Sequence, residues 1–547
     1  MRRGVQARVG GVVLALCLGG CGGDGSVGRD AGVADAGGGD AKDTVANTVL
    51  DATVPGDVGE RADGAVAGPD GGGGGSADVV ADTADVPSLS DAAVVDGGAA
   101  DAGDGADHGD SGDSADGENP GDGADAEPWE PDPTAGHLDT GPLGEAVCVS
   151  VTGGSGAKLA TGIARLKEAG VRTVRSILTW SSFEPSKGSF SPAALESHVT
   201  PYTDAGIDVI GVLAFGNPWA CSDPAADSYY PPDDPADFAN YVTAAITHLG
   251  PLVTRYEVWN EQNAGYRFWK PATKGDPAAY GTLLKAAVAA GRAACPTCQF
   301  AYGGPFFHSM IIDGHIPFLQ QTYAAHPDLS AHFDAMAMHP YPFYPPQAAP
   351  EGPPEPFEWP FWTMVDAVRQ VMADHDAGDR PIWVTEVGWP VFWSVTEELQ
   401  AAYLVRGFLH LVALDAVPVC WYTLFDKETT SVFPAEDFFG LLTSGVETGT
   451  PEPKPVFHAL AQLGGRFGEY RLVRDLHAAK LVPPGAWGFE LSGPNGDRWW
   501  AVWAHPGTEV VTLPGPPLQV LDQLGGELAI VGVEQPVTAL PVFVQVE

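Results

Sequence analysis

No Phe, Tyr or Trp occurs before Trp129, and Lys and Arg are scarce throughout: 28, against 71 Asp and Glu, for a net charge of −43. The first scarcity excludes a folded core in the N-terminal quarter. Residues 22–137 are almost entirely Asp, Gly, Ala, Val and Ser, which cannot bury enough apolar surface to offset backbone entropy, so this stretch is expected to be disordered. It carries 27 acidic residues against Arg29, Lys42 and Arg61; with +3 from the leader, −22 remains for residues 138–547. More than half of the net negative charge therefore belongs to a tether and says little about a site. As a flexible coil its 116 residues would span about 60 Å root-mean-square. The Asp/Gly segment has no nine-residue repeat, which weighs against a calcium-binding array. No basic patch points to nucleic acid. "CPTC" (295–298) has no second CxxC, which weighs against a zinc site.

What is present begins with "MRRGVQARVGGVVLALCLGGC" (1–21): arginines, a short apolar run, then small residues. That order is a secretory leader, and the apolar run is too short to span a membrane. "LGGC" resembles the lipobox of bacterial lipoproteins. The resemblance implies lipidation at Cys21 and a protein anchored in the bacterial cell envelope, at the outer membrane or cell surface. An ordinary cleaved leader with an incidental Cys is the plainer alternative. Five cysteines follow, 148, 221, 295, 298 and 420. "CPTC" reads as a tight disulfide in an exported protein, and the odd count leaves at least one thiol unpaired.

From residue 147 apolar strand patterns alternate with helical periods. Strands are expected at 147–151, 171–178, 207–215, 255–259, 299–304, 333–338, 381–387 and 418–425. Helices are expected near 156–169, 192–205, 235–249, 277–293, 313–325, 361–376, 396–415 and 454–463. Eight strand–helix units imply an α/β fold, a (β/α)8 barrel over 138–466. A doubly wound sheet is disfavoured because no Gly-rich phosphate turn follows the first strand. Beyond 467, short runs between Gly/Pro turns ("WWAVWAH", "TEVVTL", "LQVLD", "ELAIVG", "LPVFVQVE") imply a small β-sandwich-like accessory domain over 467–547.

In such barrels chemistry gathers at the C-terminal strand ends. Those ends offer Arg175 and Trp180, Asn260-Glu261, His339 and Tyr341, Glu386 with Trp389, and Trp421. Glu261 and Glu386 would face each other across the barrel mouth, and a carboxyl pair is what glycosidic bond cleavage needs. Asn260 could donate to a sugar hydroxyl, Arg175 and His339 could orient a carboxylate, and Trp180, Trp389 and Trp421 could offer flat faces to sugar rings. Taken singly, each residue has a plainer reading: a solvated loop glutamate, a salt-bridge arginine, a satisfied histidine, a core tryptophan.

"YEVWNEQN" and "PIWVTEVGWP", with "LTWSSFEPSKGSFS", "HPY" and "FFGLL…EPKPVFHAL", resemble the signatures of clan A retaining glycoside hydrolases, family 39 and its relatives. The resemblance spans about 147–547. It implies Glu261 as acid/base and Glu386 as nucleophile, with Asn260, Arg175, His339 and Trp421 around the sugar being transferred. The expected activity is retaining hydrolysis of O-glycosidic bonds in a poly- or oligosaccharide by a monomer, with no metal or cofactor. The expected partners are a carbohydrate and, through the anchor, a membrane. A non-catalytic carbohydrate-binding lipoprotein on a barrel scaffold is the alternative, because fold alone does not fix activity. The tether has no counterpart in that family, and the Pro-rich loop 342–362 is unusual for it.

Overall fold

The computed structural model describes residues 129–547 apart from 133, 153, 272–273, 308–313, 343–348, 353–359, 393 and 428–433. The expected leader, Cys21 and the acidic stretch up to residue 128 lie outside the described residues.

Eight parallel strands close into a barrel: β1 (Val147–Val151), β2 (Thr173–Thr179), β3 (Asp208–Ala214), β4 (Arg255–Val258), β5 (Gln299–Tyr302), β6 (Ala335–Met338), β7 (Ile382–Val387) and β8 (Ala416–Tyr422). The seam is β8 on β1, with Cys148 opposite Cys420 and Ser150 opposite Tyr422. Each strand is followed by a helix: α1 (Gly156–Glu168), α2 (Pro192–Thr203), α3 (Pro235–Leu249), α4 (Pro277–Ala294), α5 (His315–Ala325), α6 (Phe361–Ala373), α7 (Glu397–Ala413) and α8 (Pro455–Ala461). Local chemistry starts several of them. Asp234 and Asp276 accept from the first-turn amides of α3 and α4, each with Pro at the first position, and Thr396 does the same for α7.

Side chains alternate between two buried layers. Cys148, Ile210, Ala301, Ala337, Trp383 and Cys420 form one cluster drawn from strands that are not all neighbours, so they meet inside the barrel. The larger aliphatic and aromatic set packs between strands and helices. Cys148 and Cys420 are disulfide-bonded within the inner cluster, Cys295 and Cys298 are bonded as the spacing implies, and Cys221 is free.

The C-terminal part is antiparallel. β9 (Arg471–Asp475), β10 (Ala486–Ser492), β11 (Arg498–Ala504), β13 (Gln519–Asp522) and β15 (Val542–Val546) form a sheet in the order β13-β15-β11-β10-β9. β12 (Glu509–Thr512) and β14 (Glu534–Val537) make a separate ribbon. Three expectations change here. "ELAIVG" (527–532) is not a strand: Leu528, Ile530 and Val531 stand exposed, and the partner of β12 comes after them. β9 and β10 are additions, masked in sequence by charged and glycine positions. The segment before the barrel, 129–142, runs along the β-domain instead. Trp129 Nε1 donates to the Val482 carbonyl (2.7 Å) and Leu138 N to that of Val473 (3.0 Å).

Glu351, in the Pro-rich loop after β6, locks barrel and β-domain together. Its buried carboxylate takes both arms of Arg406 on α7, His410 Nε2 (3.2 Å) and Trp503 Nε1 of β11 (2.8 Å). Burial alone would raise its pKa, but Arg406 and His410 hold it well below the ordinary carboxylate range.

Candidate active site

At the end of β4 the backbone leaves the strand abruptly. Trp259 (φ 71°) and Glu261 (φ 47°) both sit in the left-handed region, which non-glycine residues rarely adopt. This break interrupts the inward–outward alternation. Trp259 turns into an aromatic pack with Phe215, Phe238 and Trp269 and donates Nε1 to the Phe268 carbonyl (2.8 Å). Asn260 and Glu261 are left at the barrel mouth.

Arg175, buried in β2, organises the floor of the site. Its Nε and Nη2 donate to Glu257 (2.8 and 3.1 Å), its Nη2 to Asn260 Oδ1 (2.8 Å) and its Nη1 to Glu386 Oε1 (2.6 Å). Asn260 accepts through its oxygen, which leaves its amide N–H groups as the donors it can offer. Tyr341 Oη donates to the other oxygen of Glu386 (3.0 Å). His339 stands between the two carboxyls, with Nδ1 3.0 Å from Glu261 Oε1 and Nε2 3.1 Å from Thr385 Oγ1. One donor atom each of Glu261, His339 and Glu386 lies within 4.8 Å of the others.

The two carboxyls are buried but differently served. Burial pushes Glu261 up to about 7, only partly opposed by Arg267 and Arg175 and reinforced by Glu436. Burial also raises Glu386, against the opposing pull of His339 and Arg175 and the Tyr341 hydroxyl. Burial brings His339 down to about 4, so it is a neutral ring at neutral pH. Arg175 gives Glu386 a charge-assisted bond that Glu261 lacks, and that bond favours the ionised form of Glu386. The three donors could be offered to a divalent ion, but the Arg175 guanidinium already bonded to Glu386 opposes a second positive charge there.

Of the residues marked in the sequence, the structure brings Arg175, Asn260, Glu261, His339, Tyr341 and Glu386 together. It does not bring the three tryptophans. Trp421 is 3% exposed and turned outward. It shares a small internal cavity with Trp389, Leu404, Phe408, Val419 and Leu460, and donates Nε1 to the Phe439 carbonyl (3.0 Å). Trp389 is stacked on it, with centroids 6.1 Å apart. Trp180 is fully buried against Tyr241 and Phe238 of α3, its Nε1 bonded to Glu184 (2.8 Å). The physical reason at β8 is parity: Cys420 points inward to its disulfide, so Trp421 must point out and Tyr422 in.

Sequence reasoning missed Glu257, Tyr422, Thr385 and Phe439. Glu257 had a signal: a carboxylate in mid-strand among apolar neighbours must face a partner, here Arg175 on β2, two strands away.

Searches against family models and against curated proteins find no match. Solved structures do match. The barrel with its appended sheet shares its fold with solved glycoside hydrolases of family 39. A family 39 glycoside hydrolase from the gut symbiont Bacteroides cellulosilyticus WH2 aligns with TM-score 0.60 at 22% identity, over 74% of this chain and 81% of that one. A family 39 β-xylosidase from Caulobacter crescentus aligns with TM-score 0.53 at 17% identity, over 76% and 98%. A monomeric β-xylosidase from C. crescentus CB15 aligns with TM-score 0.52 at 15% identity, over 75% and 98%.

Proposed function

We propose that the chain is a glycoside hydrolase acting on a poly- or oligosaccharide by retaining double displacement. The observation that carries this reading is the buried Glu261/Glu386 pair, close together yet unequally served by donors. One oxygen of each carboxyl lies within 4.8 Å of one on the other, an approach in keeping with the roughly 5–5.5 Å of retaining enzymes rather than the roughly 6.5–9.5 Å that inverting ones need for a water.

In this reading Glu386, ionised against Arg175 and Tyr341, attacks the anomeric carbon. As that C–O bond forms, the bond to the leaving oxygen breaks, and Glu261 gives its proton to that oxygen. Glu261, now a carboxylate, takes a proton from water, whose oxygen attacks the same carbon and frees Glu386. Asn260, fixed through its carbonyl by Arg175, presents N–H donors to a hydroxyl of the sugar being transferred. A catalytically silent binding protein would have no use for two buried carboxyls so close together and so differently served by donors.

The test is a panel of 4-nitrophenyl glycosides and oligosaccharides, xylosides first, with wild type and Glu386→Gln. Release by wild type alone, with the first-formed product keeping its anomeric configuration by NMR, is expected. Release from no substrate would overturn the hydrolase reading, and an inverted first product the retaining one.

The leader and "LGGC" support lipid anchoring of this enzyme at Cys21 in the cell envelope. Cys21→Ala should release soluble protein or leave the precursor uncleaved; normal processing with membrane fractionation would overturn the anchor.

A further inference from the structure

With Trp180, Trp389 and Trp421 turned into the shell between barrel and helices, the site needs another apolar face for a sugar's C–H surface. Tyr341, Tyr422 and Phe439 form one aromatic cluster at the mouth, and Phe306, just past the end of β5, packs against it. The first three are at most 5% exposed, and Tyr341 is committed to Glu386. Phe306 is only half-buried, its ring centroid 6.2 Å from that of Tyr341.

Its backbone is held on both sides. Asn263 Nδ2 donates to the Phe306 carbonyl (2.8 Å), and Phe306 N donates back to Asn263 Oδ1 (3.0 Å). On the other flank Phe306 bridges to His339, with His339 N donating to the Pro305 carbonyl and Phe307 N to that of His339 (both 3.2 Å). Glu261 N donates to the Gly304 carbonyl (3.0 Å), so the segment bearing Phe306 is stitched directly to the proton donor. A partly exposed ring on a fixed backbone loses little freedom when it meets a ligand.

Its position on the barrel decides which sugar it meets. The groups that hold the transferred ring, Asn260, Arg175 and Glu386, converge from β4, β2 and β7. Phe306 follows β5, its backbone segment bonded on one side to Glu261 and on the other to His339, the flank from which Glu261 would protonate the departing oxygen. We propose that Phe306 is the platform for the sugar on the leaving-group side, a specificity-determining residue of the glycosidase reading on which this inference rests.

The test uses the sugar that wild type releases in the panel above, offered as its glycosyl fluoride, which has no leaving-group ring, and as the matching disaccharide. For Phe306→Ala and Phe306→Leu, kcat/KM on the disaccharide should fall about tenfold further than on the fluoride. Phe306→Tyr, which keeps a flat face, should restore most of the difference. Thermal melts of all three variants report any loss of folding, which would strike both substrates alike. Equal losses on the two substrates, or no loss on the disaccharide, would overturn the proposal. Failure of wild type on every substrate would remove the glycosidase reading itself, and it would be seen before any variant is made.

Discussion

Arg175 reaches Glu386 across the barrel floor at 2.6 Å, while the neighbouring carboxyl, Glu261, faces a neutral imidazole. One guanidinium thus favours the ionised form of one acid and leaves the other beside a neutral ring.

That division predicts opposite phenotypes for the two alanine variants. Glu386→Ala should be nearly inactive and be rescued by azide as a glycosyl azide of inverted configuration. Glu261→Ala should lose about 10²–10⁴ on substrates with poor leaving groups, less on activated aryl glycosides, and give an azide product of retained configuration. Product configuration by NMR checks the assignment; the reverse pattern would exchange the roles.

Activity should follow a bell in pH. It requires Glu261 protonated, so it should fall as pH rises through about 7, and it requires Glu386 ionised, so it should fall on the acid side as Glu386 gains its proton. The raised Glu261 pKa also has a sign in stability. The folded state binds this proton more tightly than the unfolded chain, so the stabilisation is complete below about pH 4.5 and is lost as pH rises through about 7. Glu261→Gln should therefore melt higher than wild type at pH 8–9, by on the order of 3 kcal/mol at most, with the gap closing towards pH 4. A constant gap would show that burial of the charge is not its cause.

Trp421→Ala should cost stability first. Removing a buried indole from the packing between β8 and the helices is worth about 3–5 kcal/mol, seen as a lower Tm. Tyr422→Ala, one residue on and facing inward, should lose kcat/KM beyond any change in Tm. If Trp421→Ala instead lost kcat/KM with an unchanged Tm, its outward placement would be refuted.

Glu351→Gln should loosen the join between barrel and β-domain. It leaves Arg406, which is fully buried, without its carboxylate, a change that typically costs about 3–5 kcal/mol. Because the folded Glu351 pKa is depressed, its stabilisation is present above the unfolded value and lost as pH falls below it. The difference in denaturation midpoint between wild type and variant should shrink under acid; a gap that persists at low pH would exclude the carboxylate as its source.

Much of this could be read from the sequence, because it depends on local chemistry that repeats along the chain. Eight apolar runs separated by helical periods fix a barrel. Three of its helices start where Asp-Pro pairs and Thr396 stand, since those groups satisfy first-turn amides wherever the chain places them. Asn260-Glu261 and Glu386 at strand ends mark the carboxyl pair. What required the tertiary structure is direction. A strand reverses its side chains every residue, so whether Trp421 or Tyr422 enters the site depends on Cys420 meeting Cys148 across a seam 272 residues apart. The β4 end shows the same limit, since two left-handed residues break the alternation there and turn Trp259 away while leaving Glu261 in the mouth. The proton on Glu261 is likewise a product of folding, for burial raises its pKa and no stretch of sequence carries burial by itself.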